Sequence, residues 1–491
     1  MNAIIRSIVR NPTQTPVLQI QRSWFFRRQF FSTRNPLPMW FFAVAPLLFS
    51  SSADATDDPH VSGTDLPHAP VVVEADWNYT VPMRPHHCDN VAPGQPLQSA
   101  IDAADDGAVL CLGDGDYPGH VVINRPITLW GTHKARIVSS GTGTTVSVLG
   151  HDVTLAGFTV DGSGHRFDQT DAAVRVEGFG HVVSGLKVLR ATFGILVEKS
   201  SGCTVFGNHV SGDLHAPFGT RGDGIRLWET RATVVDNNRV DFSRDVVVWY
   251  SSHNIIQNNL VTGGRYGTHF MYSHNNLVQN NRYLSNIVGL FVMYSRNVVI
   301  CENTLAGSFG ASGIALGIKE SGNLTILRNT MVRNTIGIYL DTSPLNVDDY
   351  NRLVSNSIRL GGVAVAFHGR TERNTFVHNV FTDNLAMVEV EGGGDAMSAR
   401  WITNEYSDYA GYDLDNDGLG DVAYEQSRLS SHLLGQHPSL AFFRNTPAMF
   451  ATDTVQHALP LFPPKILLRD DYPKMGNVDN AAATKEAEES L

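Results

Sequence analysis

An internal repeat of about 22 residues is the feature that most constrains how this chain folds. Short β-prone segments alternate with turns rich in glycine, asparagine and serine, and an asparagine preceded by apolar residues returns once per repeat. The repeated asparagines are Asn208, Asn238, Asn259, Asn281, Asn303, Asn329, Asn356 and Asn379. One such unit cannot bury its apolar face alone, but stacked units share a continuous core. The pattern therefore predicts a solenoid of stacked β coils.

The fold class that this repeat predicts is all-β, a right-handed parallel β-helix. Residues 118–395 leave room for about twelve coils, in which asparagine side chains can form ladders at a strand spacing of about 4.8 Å. A helical solenoid is excluded because the repeat lacks a 3.6-residue apolar period. A short helical stretch that starts at Pro96 is expected to cap the first coil, whose strand edges are otherwise exposed.

Composition narrows the classes of function. The 491 residues carry a formal net charge of −11, so we expect no nucleic-acid partner, because binding a phosphate backbone needs positive charge. Four cysteines are too few for a disulfide scaffold in a chain of this length.

The first 55 residues are interpreted as a targeting segment. Six arginines and no acidic residue precede Asp54, an apolar run covers residues 37–49, and residues 53–55 read Ala-Asp-Ala. This is the order of a secretory signal, and it predicts export to the periplasm. Three alternatives stay open: a later start at Met39, a twin-arginine signal at residues 27–28, and a mitochondrial presequence.

The rest of the chain divides by composition. Residues 438–475 are apolar and broken by proline, and such a segment either packs on the solenoid or docks on a partner. The predicted segments are a targeting segment (1–55), an N-terminal extension (56–95), an N-terminal cap (96–117), the β-helix repeats (118–395), an Asp/Gly-rich loop segment (396–437), a partner-docking extension (438–475) and a disordered tail (476–491).

One outer face of the coils is apolar where solvated side chains are expected. Strand residues alternate inward and outward, and the outward positions of four successive coils carry large rings and thioethers. The predicted contact patch consists of Trp228, Trp249, Tyr250, Tyr272, Phe291 and Tyr294. Such a patch indicates a contact surface or a groove in which rings stack on sugars, unless a loop or the C-terminal segment covers it.

The same face contains a candidate copper site. His269 and Met271 lie on one coil and Met293 on the next, and thioether and imidazole groups suit copper(I). A second candidate set, Met83, His86 and His87, is followed directly by Cys88.

The alternative reading of the second set is a disulfide. Export permits a bond between Cys88 and Cys111, which would leave the neighbouring histidines solvated. Cys203 and Cys301 lie in apolar strand contexts and are predicted to be buried free thiols.

A carboxylate-rich loop lies near the C-terminus. Asp413, Asp415 and Asp417 occupy the first, third and fifth positions of a calcium-loop pattern, and Asp421 the ninth. The twelfth position is Tyr424, where the pattern requires a bidentate glutamate. Calcium binding is one interpretation; the other is a polar loop whose carboxylates accept local backbone N–H groups.

Several stretches resemble the NosD-type nitrous oxide reductase maturation proteins, within the wider carbohydrate-binding and sugar-hydrolase β-helix group. They are residues 264–273 and 288–296, which share Met-Tyr-Ser, the segment 401–424 with its repeated Asp and Gly, and the closing segments at 438–440 and 464–475. The resemblance covers roughly residues 95 to 475, and this sequence departs from the family in its long arginine-rich leader and acidic tail.

The resemblance implies a non-catalytic periplasmic protein that docks on the permease and ATPase of an ABC transporter. It also implies a copper-chaperone lipoprotein as donor and apo nitrous oxide reductase as acceptor, with sulfur or a conformational signal as alternative cargo. No set of metal ligands carries over from the family, so the copper(I) ligands named above rest on the outer face alone.

Two other functions are considered. A polysaccharide lyase, epimerase or hydrolase needs close carboxylates or an Asp, Arg and Lys set, and Asp223, Arg226, Arg244 and Asp245 lie on adjacent coils. These residues flank turn positions, where Asp and Arg commonly serve the turn and solvent. A surface adhesin or structural rod is the third reading.

Overall fold

The computed structural model describes residues 82–213, 216–427, 429–443, 446–458 and 465–476. The predicted targeting segment, most of the N-terminal extension and nearly all of the predicted tail lie outside these residues. Among the described residues, no helix combines the length and apolar character needed to cross a membrane.

The chain folds as an all-β parallel solenoid whose coils each contribute one strand to each of three sheets. The first sheet has 14 strands: β1 (Asp89–Val91), β2 (Val109–Leu112), β5 (Thr128–Gly131), β8 (Thr154–Ala156), β11 (Val182–Ser184), β14 (Thr204–Phe206), β17 (Val234–Asp236), β20 (Ile255–Gln257), β23 (Leu277–Gln279), β26 (Val299–Cys301), β29 (Thr325–Leu327), β32 (Asn351–Val354), β35 (Asn374–Val377) and β38 (Arg400–Ile402).

The second sheet has 13 strands: β3 (Gly115–Pro118), β6 (Ala135–Val138), β9 (Thr159–Asp161), β12 (Lys187–Leu189), β15 (His209–Ser211), β18 (Arg239–Asp241), β21 (Leu260–Thr262), β24 (Arg282–Leu284), β27 (Thr304–Ala306), β30 (Thr330–Val332), β33 (Ser357–Arg359), β36 (Val380–Thr382) and β39 (Glu405–Tyr406).

The third sheet has 12 strands: β4 (Val121–Ile123), β7 (Val146–His151), β10 (Ala172–Phe179), β13 (Phe193–Ser201), β16 (Ile225–Trp228), β19 (Asp245–Trp249), β22 (Tyr266–Met271), β25 (Val288–Met293), β28 (Ile314–Lys319), β31 (Ile336–Asp341), β34 (Val363–His368) and β37 (Ala386–Val390).

A two-stranded antiparallel sheet, three helices and three 3₁₀ turns complete the described elements. They are β40 (Tyr424–Gln426), β41 (Leu468–Asp470), α1 (Leu97–Ala103), α2 (Leu429–Gln436), α3 (Pro447–Ala458) and the 3₁₀ turns Phe218–Thr220, Glu391–Gly393 and Pro438–Phe443.

The predicted solenoid is confirmed, but it has about fourteen coils rather than about twelve. The sequence estimate started at residue 118, whereas β1 and β2 already pair in parallel before that point. The inward and outward alternation on the third sheet also holds, since the inward residues Ile225, Leu227 and Val248 are buried in one continuous core.

The repeated asparagines form a buried ladder at the corner between the first and second sheets. Asn281 donates from its backbone N–H and its side-chain Nδ2 to Oδ1 of Asn303, at 2.9 and 3.0 Å, and Asn259 donates to Asn281 in the same way at 3.0 and 2.9 Å. The residue before each ladder position bears the left-handed backbone, as at Asn280, where φ is 54°. The repeated asparagine therefore forms the ladder, and the residue before it adopts the left-handed conformation that the corner needs.

Side chains and added segments complete the hydrogen bonds at both ends of the solenoid. At the first coils, Gln98 of α1 accepts from the backbone N–H of Val122 at 2.8 Å and donates to its carbonyl oxygen at 3.0 Å. At the last coils, Asp470 of β41 accepts from the backbone and side chain of Asn404, which is the final asparagine of the ladder. Part of the segment that the sequence assigned to partner docking therefore packs on the solenoid itself.

Candidate metal centre

The outward side chains of the third sheet stack in two rows across four coils. The first row is Trp228, Trp249, Met271 and Met293, and the second row is Arg226, Val247, His269 and Phe291. On the coil before Trp228, the first row continues to Glu198 and the second row to Leu196. On the other side the first row continues to Lys319 and the second to Gly317.

The second row is buried although it lies on the outside of the coil. The exposed fraction of His269 is 7%, and Arg226 and Phe291 are equally shielded. Phe291 lies flat over Gly317 of the next coil, where a Cβ atom would come within 2.4 Å of the ring. The large rings therefore shield this part of the outer sheet face from solvent.

His269 is held among two rings and a sulfur. The centroid of its imidazole lies 4.7 Å from that of Tyr266 and 5.5 Å from that of Trp249, whose ring plane is nearly perpendicular to it. Its Nε2 lies 3.2 Å from Sδ of Met293. Its Nδ1 is buried and has no hydrogen-bond partner among the described residues.

The imidazole of His269 is neutral at physiological pH. Burial lowers the pKa of His269 from 6.5 to about 4, and the nearby positive charges of Arg265 and Arg244 act in the same direction, whereas Asp223 opposes them. A neutral imidazole is the form that binds a metal ion. Met271 is the register partner of Met293, so two thioethers and one imidazole nitrogen share the site. This ligand set favours a soft monovalent ion such as copper(I).

A chain of buried ion pairs borders the metal centre. Asp223 accepts from Arg226 at 2.8 and 2.6 Å and from Arg244 at 2.8 Å, while Asp245 pairs with Arg244 and Arg265. The carboxylates that the enzyme hypothesis offered are thus engaged by arginine donors, which leaves them poorly placed for general acid or base chemistry.

Sequence reasoning missed Arg265 and Tyr266. Arg265 lies over the ring of Tyr266 at 4.7 Å, and Tyr266 covers His269 and Phe291. Their one sequence signal was their position inside the stretch 264–273, which resembles the NosD-type proteins.

The predicted contact patch is continuous beside the metal centre. Tyr250, Tyr272 and Tyr294 occupy the corner after the strand, all with left-handed backbones, and stack with centroids 5.4 and 4.8 Å apart. Trp228 joins this column by contacts with Tyr250 and with Trp249, each at 5.5 Å. In the described part of the C-terminal extension, α3 contacts α2 and β41 contacts β38, and both partners lie at the far end of the solenoid. Tyr250 and Tyr272 stay exposed.

The second candidate copper set is not assembled. The structure joins Cys88 to Cys111 in the disulfide that the sequence offered as the alternative, so Cys88 is not a metal ligand. His86 and His87 are exposed and the exposed fraction of Met83 is 92%. This segment packs near Trp130 of β5, on a different sheet from His269.

Three of the four aspartates of the predicted calcium loop converge. Carboxylate oxygens of Asp413, Asp415 and Asp421 lie within 4.8 Å of one another, whereas Asp417 accepts from the backbone N–H of Leu419 at 2.8 Å. Asp413 and Asp421 also accept local backbone N–H groups, as the alternative interpretation expected. Calcium binding at this loop stays a prediction.

Known proteins resemble this chain both in its central coils and over most of its length. The family model described as periplasmic copper-binding protein (NosD) matches residues 214–412, which include the metal centre. A Pseudomonas aeruginosa protein named probable ABC transporter binding protein NosD is 29% identical over 413 residues, which cover 78% of this chain and 92% of the relative. The chain is therefore similar to NosD-type proteins over most of its length. A NosD relative of the same name from Stutzerimonas stutzeri is 28% identical over 387 residues and covers 71% of this chain and 83% of its own length.

Solved structures share only the architecture. The A-module of the mannuronan C-5 epimerase AlgE6 from Azotobacter vinelandii is 14% identical, covers 64% of this chain and 94% of its own, and has a TM-score of 0.47. The surface adhesin PfbA from Streptococcus pneumoniae is 15% identical, covers 60% of this chain and 88% of its own, and also has a TM-score of 0.47. At this level of likeness, neither protein bears on the activity of this chain.

Proposed function

We propose that this chain is a NosD-type, non-catalytic periplasmic accessory protein that associates with an ABC transporter and delivers copper(I) to nitrous oxide reductase. The names of the two relatives support the transporter association, and the description of the family supports copper binding and the periplasmic location. The observation that carries the copper assignment is the buried neutral imidazole of His269, with Sδ of Met293 3.2 Å from Nε2.

In this proposal His269, Met271 and Met293 hold the ion as three neutral ligands. Because none of them loses a proton on binding at neutral pH, loading and release are not coupled to proton transfer. Both methionines are partly exposed at the edge of the site. Ligands from a partner can therefore replace the thioethers one at a time while His269 still holds the ion.

The contact patch gives the partner a surface on which to dock. Tyr250 and Tyr272 are exposed beside the methionines, and aromatic side chains are enriched in protein interfaces. The partners we propose are a copper-chaperone lipoprotein as donor and apo nitrous oxide reductase as acceptor, with the permease and ATPase of the transporter holding the assembly at the membrane. Sulfur is the alternative cargo.

Copper transfer to the apo-reductase tests the ligand assignment. The purified protein is loaded with copper(I) under anaerobic conditions and mixed with apo-reductase, and the copper that reaches the reductase is measured after separation. We expect Met271→Ala/Met293→Ala to lower both the bound copper and the transferred copper by about tenfold or more, because two of three ligands are lost.

Two variants serve as controls. Met397→Ala removes an exposed methionine outside the site and should leave both quantities unchanged. Met83→Ala tests the other candidate set and should also have no effect. Equal transfer by the double variant and the unaltered protein would contradict the assignment of the copper site.

A further inference from the structure

Trp249 has an unusual environment for a largely enclosed indole. Its Nε1 is buried and has no hydrogen-bond partner among the described residues, although buried indole N–H groups usually find one. By contrast, Nε1 of Trp228, one coil earlier on the same row, donates to Oε1 of Glu229 at 3.3 Å. Hydrogen bonding therefore does not explain why a tryptophan stands at position 249.

The indole of Trp249 borders the three proposed ligands. It is the register partner of Met271, and its ring plane is perpendicular to the imidazole of His269, with centroids 5.5 Å apart and an interplanar angle of 88°. Met293 lies on the opposite side, with its Sδ against Nε2 of His269. An ion held by His269 and Met271 would therefore lie on the coil next to the indole, and aromatic rings attract cations within about 6 Å of their centroid.

The chemistry of the ligands makes such a contact favourable. An imidazole and two thioethers are neutral, so a bound copper(I) keeps its full positive charge in an enclosed site. The nearby arginines also raise the local positive potential, because Arg226, Arg244 and Arg265 outnumber Asp223 and Asp245. The ring face of tryptophan is the strongest cation–π partner among the side chains, and it brings no charge that would attract a divalent ion.

The structure shows that this ring already takes part in cation–π contacts. Cζ of Arg226 lies 6.0 Å from the centroid of Trp249, and the guanidinium is fixed by two hydrogen bonds to the buried Asp223. The ring therefore belongs to a surface arranged around positive charge.

We propose that Trp249 is a fourth contact of the bound ion, and that its ring face closes the His269, Met271 and Met293 site by a cation–π interaction. This inference rests on the proposed function, because it assumes that the three ligands hold a soft monovalent ion. It adds a specificity element, since a divalent ion such as zinc prefers anionic or nitrogen ligands and gains less from this set.

Silver(I) serves as a redox-stable probe of the site. The purified protein is titrated with silver(I) while tryptophan fluorescence and the indole absorption band are recorded. We expect one equivalent to quench the fluorescence and shift the indole band to longer wavelength. Trp249→Phe should abolish both signals and weaken silver(I) binding by about 3- to 10-fold, measured by competition with a chromogenic chelator.

Trp228→Phe is the matched control, because Trp228 lies on the same row but one coil farther from His269. It should keep the spectral change. A signal that survives in Trp249→Phe, or that disappears in Trp228→Phe instead, overturns the role of Trp249. A circular dichroism melt of each variant verifies that the solenoid is folded.

The outcomes separate this inference from the proposed function. If silver(I) binds with one-to-one stoichiometry and leaves the indole spectrum unchanged, the cation–π contact is wrong while the three-ligand site stands. If the unaltered protein binds no silver(I) and no copper(I), the copper site itself is wrong and the inference falls with it.

Discussion

The asparagine ladder and the metal centre lie on the same coils and treat buried polar atoms in opposite ways. In the ladder, each fully buried asparagine gives its N–H groups to the next one, as Asn281 does to Asn303. In the metal centre, Nδ1 of His269 and Nε1 of Trp249 are buried without partners among the described residues.

The difference follows from repetition. Identical side chains stacked at the strand spacing satisfy one another automatically, so the ladder stabilises the solenoid wherever it runs. Where successive coils carry Trp, Met, His and Phe instead, no such pairing is available. Native proteins leave few buried polar groups unsatisfied, and Nδ1 of His269 and Nε1 of Trp249 are two such atoms among the described residues.

The largest predicted effect is on the ladder. Asn281→Ala removes the acceptor for two N–H groups of Asn259 and the donor to the carbonyl oxygen of Ile256. Each buried group left unsatisfied costs about 1–3 kcal/mol, so we expect the free energy of unfolding to fall by about 3 kcal/mol or more. Urea denaturation measures the loss.

Two further variants test whether this loss of stability is specific to the ladder. Asn280→Gly changes the exposed neighbour, whose left-handed backbone glycine accepts readily, and should alter stability by less than about 0.5 kcal/mol. Met293→Ala in the metal centre should cost less than about half as much as Asn281→Ala, because Met293 is partly exposed. A metal-centre variant as destabilising as the ladder variant would remove the distinction between the two regions.

A smaller effect concerns the pH dependence of stability. His181 is a buried histidine whose ring nitrogens both have partners, since its Nδ1 accepts from the backbone N–H of Val153 at 3.2 Å and its Nε2 faces the carbonyl oxygen of Glu177 at 3.3 Å. Burial lowers the pKa of His181 below 6.5. The unfolded chain therefore binds a proton more readily than the folded one as the pH falls through 6.5, and the free energy of unfolding decreases below that pH.

Thermal melts between pH 8 and pH 5 check this prediction. His181→Gln keeps an acceptor and a donor but does not titrate, so its melting temperature should fall less on acidification than that of the unaltered protein. Equal slopes would contradict the prediction. Because both nitrogens of His181 are occupied, silver(I) should perturb His269 and leave His181 unchanged, which sharpens the contrast between a structural and a metal-binding imidazole.

The smallest effect is expected at the tyrosine column. Tyr272 has a φ of 51°, a conformation that costs a residue with a Cβ about 1 kcal/mol, and its stacking on both neighbours returns a similar amount. Tyr272→Asn should therefore change the free energy of unfolding by less than about 0.5 kcal/mol. Chemical denaturation measures it, and a loss above 2 kcal/mol would mean that the column is structural rather than a contact surface.

Sequence reasoning reached the fold and residues of both rows of the site. The asparagine spacing predicted the parallel solenoid, and strand alternation placed Trp249, His269 and Met293 on one face. It miscounted the coils because the count started at residue 118, after β1 and β2 have already paired. Tyr266 and Arg265 were missed because they precede the regular part of the strand, where alternation gives no orientation.

The sequence by itself determined which residues recur at the corners and which face of each strand looks outward, because both follow from a local period that every coil repeats. Only the tertiary structure decided that His269 is buried on that outer face and that Asp470 completes the asparagine ladder. These features depend on how large rings from neighbouring coils fill the space around one another, and on where a distant strand returns to the last coil. Such contacts join residues far apart in the chain, so no local pattern encodes them.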